Sequence, residues 1–273
     1  MMFSPQNNAL LREAGIASEM LGEGLTTLRK ADMNRSGLYN KAFFSLSIGL
    51  ERLGKLIYIL DHLHTHAGQF PSNADLKQLG HDIAVLFPHM MEIRQRHPID
   101  RPEEAFPDSD ITRAIITFLS KFGKSTRYYN LDHITGKNTI HDDDPLNAWF
   151  STVGNLVLAK HYSNRQKAKD QLVAANREAA IGDHCAVFLS TEQGRPLTNI
   201  YDMIAHAAKV AVIQKWGTFH TATIVRFLCF IIDDLNVKIM SESHDFPFIY
   251  EFFYPFIMDD AMLKSRKTFY PDA

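Results

Sequence analysis

Apolar residues recur at steps of three and four down most of the chain, the spacing of one buried face on a helix. The strongest stripe, Phe43, Leu46, Leu50, Leu53, Ile57 and Leu60, predicts a helix from Leu38 to about His66. About one residue away runs a polar row, Ser47, Glu51, Lys55, Tyr58, His62 and His66. One face of this helix is therefore expected to pack and the other to meet water. Leu10 to Lys30 predicts an earlier helix, weakened in its second half by Gly22 and Gly24. Leu76, Leu79, Ile83, Leu86 and Phe87 predict a further helix with Gly80 inside it, opened by the capping pair Ser72 and Asp75. A loop holding Pro98, Pro102 and Pro107 leads to helical segments at Asp110 to Phe122 and Ser125 to Ile134, the latter closed by Gly136.

In the second half, Asp142-Asp143-Asp144-Pro145 is a helix start, with an acidic N-cap and proline at the first helical position. Leu146, Phe150, Val153 and Val157 follow as a stripe, and Asn164 to Glu178, rich in Lys, Arg, Gln and Ala, is expected to extend that helix into solvent as far as Gly182. Asn199 to Phe230 carries two more stripes on either side of Gly217. Cys185 to Leu189 is the only strand candidate. The aromatic run Phe246 to Phe256 lacks interleaved Lys or Arg. It is expected in a core or dimer interface rather than as a platform for stacking bases. With no repeat and no linker, the pattern predicts one all-α domain over residues 1–273, a helical bundle whose last third forms a further helical layer over about 144–265.

Composition narrows the function classes. A formal charge of -2 over 273 residues excludes a bulk basic surplus, so any nucleic-acid contact has to come from a local patch. Cys185 and Cys229 are the only cysteines, each in or beside an apolar stretch, and both are expected as buried thiols in a reducing, cytoplasmic setting. No signal-peptide pattern opens the chain, and the most apolar run, Ala222 to Ile232, is too short to span a bilayer.

The segment Arg127-Tyr128-Tyr129-Asn130-Leu131-Asp132-His133 carries the most suggestive chemistry. On a helix, steps of three put Arg127, Asn130 and His133 on one slanting ridge. There His133 can move a proton and Arg127 can stabilise charge on phosphate oxygens, as phosphodiester cleavage requires. The Arg-to-His spacing alone carries no weight: about two such pairs are expected by chance in this composition, and Arg127 to His133 is matched by Arg177 to His184. Glu51, Lys55, His81 and Asp82 form a second candidate cluster, read as an ion pair plus a capping histidine that fix helix register. His62 and His66, one turn apart beside Asp61 and His64, suit imidazole ligation. They lack a further ligand at reliable spacing, so no metal and no cofactor is expected.

Three segments together resemble the HEPN-like family of all-α proteins. Phe43 to Leu56, with Glu51 and Lys55 four apart, resembles the family's early helix. Leu76 to Ile83 contains a Gly80-His81-Asp82 helix start, and Arg127 to His133 falls where the family's Arg-to-His motif lies. The resemblance covers about residues 38–134. It implies a HEPN-like core with additional C-terminal helices and a homodimer whose paired motifs bind RNA and cleave it without metal, in a toxin or phage-defence setting. Arg127, His133 and Asn130 would then be the catalytic residues. The family usually has a polar residue directly after the arginine, where this chain has Tyr128, and many members are inactive. The rival reading is therefore a catalytically silent module that dimerises or binds a partner protein such as an antitoxin.

Overall fold

The computed structural model describes residues 3–98, 105–136, 144–242 and 246–270. Asp142, Asp143 and Pro102 lie outside them. Among the described residues the fold is all-α, and no helix is long and apolar enough to cross a membrane. Its frame is the pair α1 (Pro5–Lys30) and α2 (Gly37–Thr65). Gly24, one of the two glycines expected to weaken α1, and Gly49 of α2 let the pair close, while Gly22 lies against the Phe269 backbone. A Cβ on Gly24 would stand 2.6 Å from the Leu46 side chain, and one on Gly49 would stand 2.9 Å from Leu21. Their propensity cost is offset by interhelical packing.

The polar row of α2 divides. Glu51 and Lys55 form the expected ion pair at 2.7 Å. Ser47, expected in water, is buried, and its hydroxyl donates to the carbonyls of Phe43 and Leu119. A satisfied serine can thus join a core face that hydrophobicity alone does not assign to it.

The helix expected around Gly80 is two helices, α3 (Asn73–Gln78) and α4 (Ile83–Arg96). Gly80 breaks the chain at φ 66°, a left-handed conformation that an L side chain strains to adopt. The Ser72–Asp75 capping box opens α3 as the sequence predicts. Next come α5 (Asp110–Lys124), capped by Ser109, a 3-10 turn over Thr126–Tyr128, and the short α6 (Tyr129–Ile134).

Asp144 caps α7 (Pro145–Trp149), which runs through a π-helical turn, Phe150–Gly154, into α8 (Asn155–His161). The lysine-rich stretch is not an extension of this helix. The chain turns at Tyr162, and Ser163 accepts from the Gln166 amide to start α9 (Asn164–Ile181). A two-residue antiparallel pairing, β1 (Leu189–Ser190) with β2 (Pro196–Leu197), replaces the longer strand expected from Cys185. Cys229 is buried, whereas Cys185 is exposed, contrary to expectation.

The two stripes around Gly217 belong to one continuous helix, α10 (Ile200–Glu242), about 65 Å long at 1.5 Å per residue. Gly217 does not interrupt it; a Cβ there would lie 3.2 Å from the Trp149 ring, so the glycine seats that indole. A 3-10 helix over Ile249–Phe256 and α11 (Asp260–Ser265) close the chain. Phe246, Phe253 and Phe256 enter the core, as expected of the aromatic run. One apolar cluster extends from Leu10 to Phe269, and a smaller one gathers Val187, Leu197 and Ile200 under the hairpin.

Candidate functional site

Arg127 lies on the 3-10 turn, Asn130 and His133 on α6, and all three are exposed. The three therefore do not share the one helix expected: Arg127 belongs to a tight turn, Asn130 and His133 to six helical residues. The Arg127 guanidinium sits 4.9 Å from the centroid of the Tyr128 ring, and the His133 ring stacks on Tyr129 at 6.0 Å. Arg127 has no carboxylate partner among the described residues. Between its polar residues the same segment exposes Tyr128 (54 %), Leu131 (61 %) and Ile134 (79 %).

The second candidate cluster is two clusters. In the first, Glu51 Oε1 accepts from Lys55 Nζ at 2.7 Å and bonds His81 Nδ1 at 2.8 Å. The His81 side chain is otherwise 82 % exposed. In the second, Asp82 rather than His81 is the capping residue: Oδ1 accepts from the Ala84 amide at the start of α4. Its carboxylate also accepts from Ser120 and, at 2.6 Å, from Lys124 on α5. The hydrogen bonds from Lys124 and Ser120 hold its carboxyl below the ordinary carboxylate range. Asp82 thus fastens α4 to α5, as a register-fixing group does, while His81 presents most of its ring to solvent.

The turn after α5 brings Arg127 to the first cluster. Arg127, Glu51 and His81 border one small recess of ≈ 30 Å³ floored by Ser47, Ile83 and Phe122. The break at Gly80 and the end of α5 at Lys124 create this juxtaposition, joining positions more than 70 residues apart in sequence. A carboxylate that fixes one imidazole nitrogen and an unneutralised guanidinium beside it are the parts of a phosphate-handling site.

His62 and His66 stack with centroids 3.9 Å apart, and His66 Nδ1 lies 3.1 Å from the His62 carbonyl oxygen. No group of three or more His, Cys, Asp or Glu side chains suited to a metal ion forms among the described residues. His64, pointing elsewhere as expected, meets Glu242 and His97.

Two polar constellations fall where the sequence offers no spacing signal. His161 Nε2 and His220 Nε2 are 2.9 Å apart, and His161 stacks on Trp216 at 3.8 Å with rings 5° from parallel. Burial holds both histidines down at about 4, with Lys160 and Lys264 adding to the shift. The other constellation centres on Glu192, whose side chain is fully buried. Its carboxylate meets His206 Nε2 at 2.6 Å and accepts from Tyr39 at 3.3 Å, and Gln214 in turn donates to the Tyr39 hydroxyl. Only long-range folding assembles these groups. The one hint in sequence is that His206 and His220 fall on otherwise apolar-patterned stretches of α10.

Comparison of the chain with protein-family models, curated proteins and solved structures finds no match.

Proposed function

We propose that this protein binds RNA and cleaves it without metal, as the resemblance to HEPN-like proteins implies, with Arg127, His133 and Asn130 at the site. The observation that carries the reading is the recess where Arg127 stands beside the His81–Glu51 pair, with His133 exposed on the next helix. Arg127, without a carboxylate of its own, binds a phosphate. His81, oriented through Nδ1 by Glu51, removes the proton from a ribose 2′-hydroxyl. The 2′-oxygen then bonds to phosphorus, and the bond to the 5′-oxygen breaks. His133 delivers a proton to that leaving oxygen, giving a 2′,3′-cyclic phosphate and a 5′-hydroxyl end. Arg127 stabilises the charge on the phosphorane oxygens, and Asn130 donates to the same phosphate.

The exposed Tyr128, Leu131 and Ile134 favour a homodimer in which a second copy covers these apolar side chains and faces the two segments across a cleft. They equally support the rival reading, a silent module that docks a second copy or a partner protein.

The test is cleavage of a mixed RNA pool in excess EDTA by wild-type protein and by Arg127→Ala, His133→Ala and His81→Ala. The expected result is wild-type cleavage that leaves cyclic phosphate ends and falls about a hundredfold or more in each folded variant. No cleavage by wild type, or equal cleavage by all four, overturns the nuclease reading. Loss of the dimer in Leu131→Asp/Ile134→Asp, read by light scattering, would then leave the silent module standing.

A further inference from the structure

A second recess, far larger than the one beside Arg127, shares no lining residue with it. It has a volume of ≈ 740 Å³ and opens between α8, α9, the β1–β2 hairpin and the first turns of α10. Its size matches a ligand of nucleotide dimensions. Three cations border it: Lys167 from α9, Arg195 from the hairpin loop and Lys209 from α10. None of them has a carboxylate partner among the described residues.

The two acids at the same rim are hydrogen-bonded to neutral side chains and keep their charge. Asp170 accepts from the Tyr162 hydroxyl at 3.0 Å and from Gln166 at 2.8 Å. Asp202 accepts from Asn199 at 2.9 Å. Three cations against two carboxylates leave this rim with a net positive charge of one, in a chain whose formal net charge is -2. Three cations around one cavity, none in a salt bridge to a described carboxylate, suit a polyanion such as a diphosphate more than a single carboxylate.

His206 adds a fixed imidazole to this wall. Its Nε2 is held by the buried Glu192, which is tied through Tyr39 and Gln214 to α2 and the middle of α10. The ring is thus oriented before any ligand arrives, and binding need not spend free energy ordering it. Leu158, Ala159 and Leu197 and the rings of Tyr162 and Tyr201 give the lining an apolar and aromatic share beside the polar Gln171 and Thr191. Lys167 already lies 5.7 Å from the Tyr162 ring centroid. The lining thus offers cations for phosphates and aromatic and apolar side chains for a flat ring.

We infer that this cavity binds a nucleoside diphosphate or triphosphate, its phosphates on Arg195, Lys209 and Lys167 and its base against the aromatic and apolar side chains. The position is locally rigid. Glu178 at the end of α9 accepts from the Tyr201 amide at the start of α10, so the two helices that supply the cations are fastened to each other.

Calorimetric titration of the full chain with ADP, inorganic pyrophosphate and adenosine tests the assignment. ADP is expected to bind with one site per chain, tighter than either fragment. The Arg195→Ala/Lys209→Ala variant should bind ADP about ten- to a hundredfold more weakly, because charge-assisted contacts are lost. Its helical circular dichroism should be unchanged. Lys167→Ala, on an exposed face of α9, provides a second, milder variant expected to weaken binding in the same direction. Arg127→Ala should leave ADP binding intact, which separates this cavity from the proposed RNA site. Absence of ADP binding, or equal affinity in the folded variants, overturns the proposal, as does loss of binding in Arg127→Ala. Pyrophosphate binding as tightly as ADP overturns the nucleoside half of it.

Discussion

The segment Arg127 to His133 and the histidine-bearing face of α10 hold similar side chains under opposite conditions. On the segment, guanidinium, amide and imidazole stand in water on a turn and six helical residues, and their neighbours in sequence supply their ring contacts. On α10, His206 and His220 meet partners 14 and 59 residues away, and the carboxylate holding His206 is fully buried. The first arrangement costs the fold little and leaves its groups free for a ligand. The second is part of the fold, because a buried polar group must keep its partner or destabilise the protein.

The sharpest way to break the contrast is to remove the carboxylate at the centre of the buried chain. Glu192→Ala leaves the Tyr39 hydroxyl and His206 without their acceptor, and about 3 kcal/mol of stability is expected to go, read as the shift in urea unfolding midpoint at constant slope. Equal stability of Glu192→Ala and wild type would show that the two regions do not differ in kind.

Acid provides a second, milder challenge to the same face. His161 and His220 have folded values of about 4, below the ordinary 6.5, because burial disfavours the imidazolium, His161 opposes a charge on His220, and Lys160 and Lys264 repel it, while Asp260 favours it at His220. The unfolded chain therefore takes up protons first as pH falls. Stability from this pair is complete above about pH 6.5, declines down to about pH 4 and changes no further below. The loss is on the order of 2 kcal/mol once solvent screening of the partly exposed His161 is allowed for. Chemical unfolding at pH 7 and pH 4.5 should show less of this decline in a folded His161→Phe/His220→Phe variant.

The smallest effect belongs to the exposed segment. Arg127→Ala and Asn130→Ala are each expected to change unfolding free energy by less than about 0.5 kcal/mol. A loss of several kcal/mol in either would move Arg127 into the class of Glu192 and reduce the recess beside it to a structural contact.

The same contrast explains what the sequence discloses. The stripe on α2, the Ser72–Asp75 box and the Asp144–Pro145 start are local patterns whose physics acts within a turn or two, so spacing reveals them. The boundaries that were misread turn on single residues with a tertiary role. Gly80 adopts a left-handed conformation and breaks a helix, whereas Gly217 leaves α10 continuous and makes room for Trp149. Both are glycines inside an apolar periodicity, and nothing local separates them. Among the candidate residues, Arg127, Asn130 and His133 stand out in the sequence by their steps of three. The approach of Arg127 to His81 does not, since it depends on where α5 ends. The Glu192 chain is the least legible, because its carboxylate lies in a polar turn where burial is unexpected and its tyrosine partner is 153 residues distant.

The stack of His161 on Trp216 also gives the molecule an optical property. The chain has two indoles. Trp149 is enclosed by apolar rings, while Trp216 lies in contact with an imidazole that stays neutral until about pH 4. A neutral imidazole quenches indole emission weakly and a protonated one strongly, so Trp216 is a native fluorophore whose brightness follows protonation of the His161–His220 pair. The packing that withholds charge from α10 thereby makes its loss visible without any label.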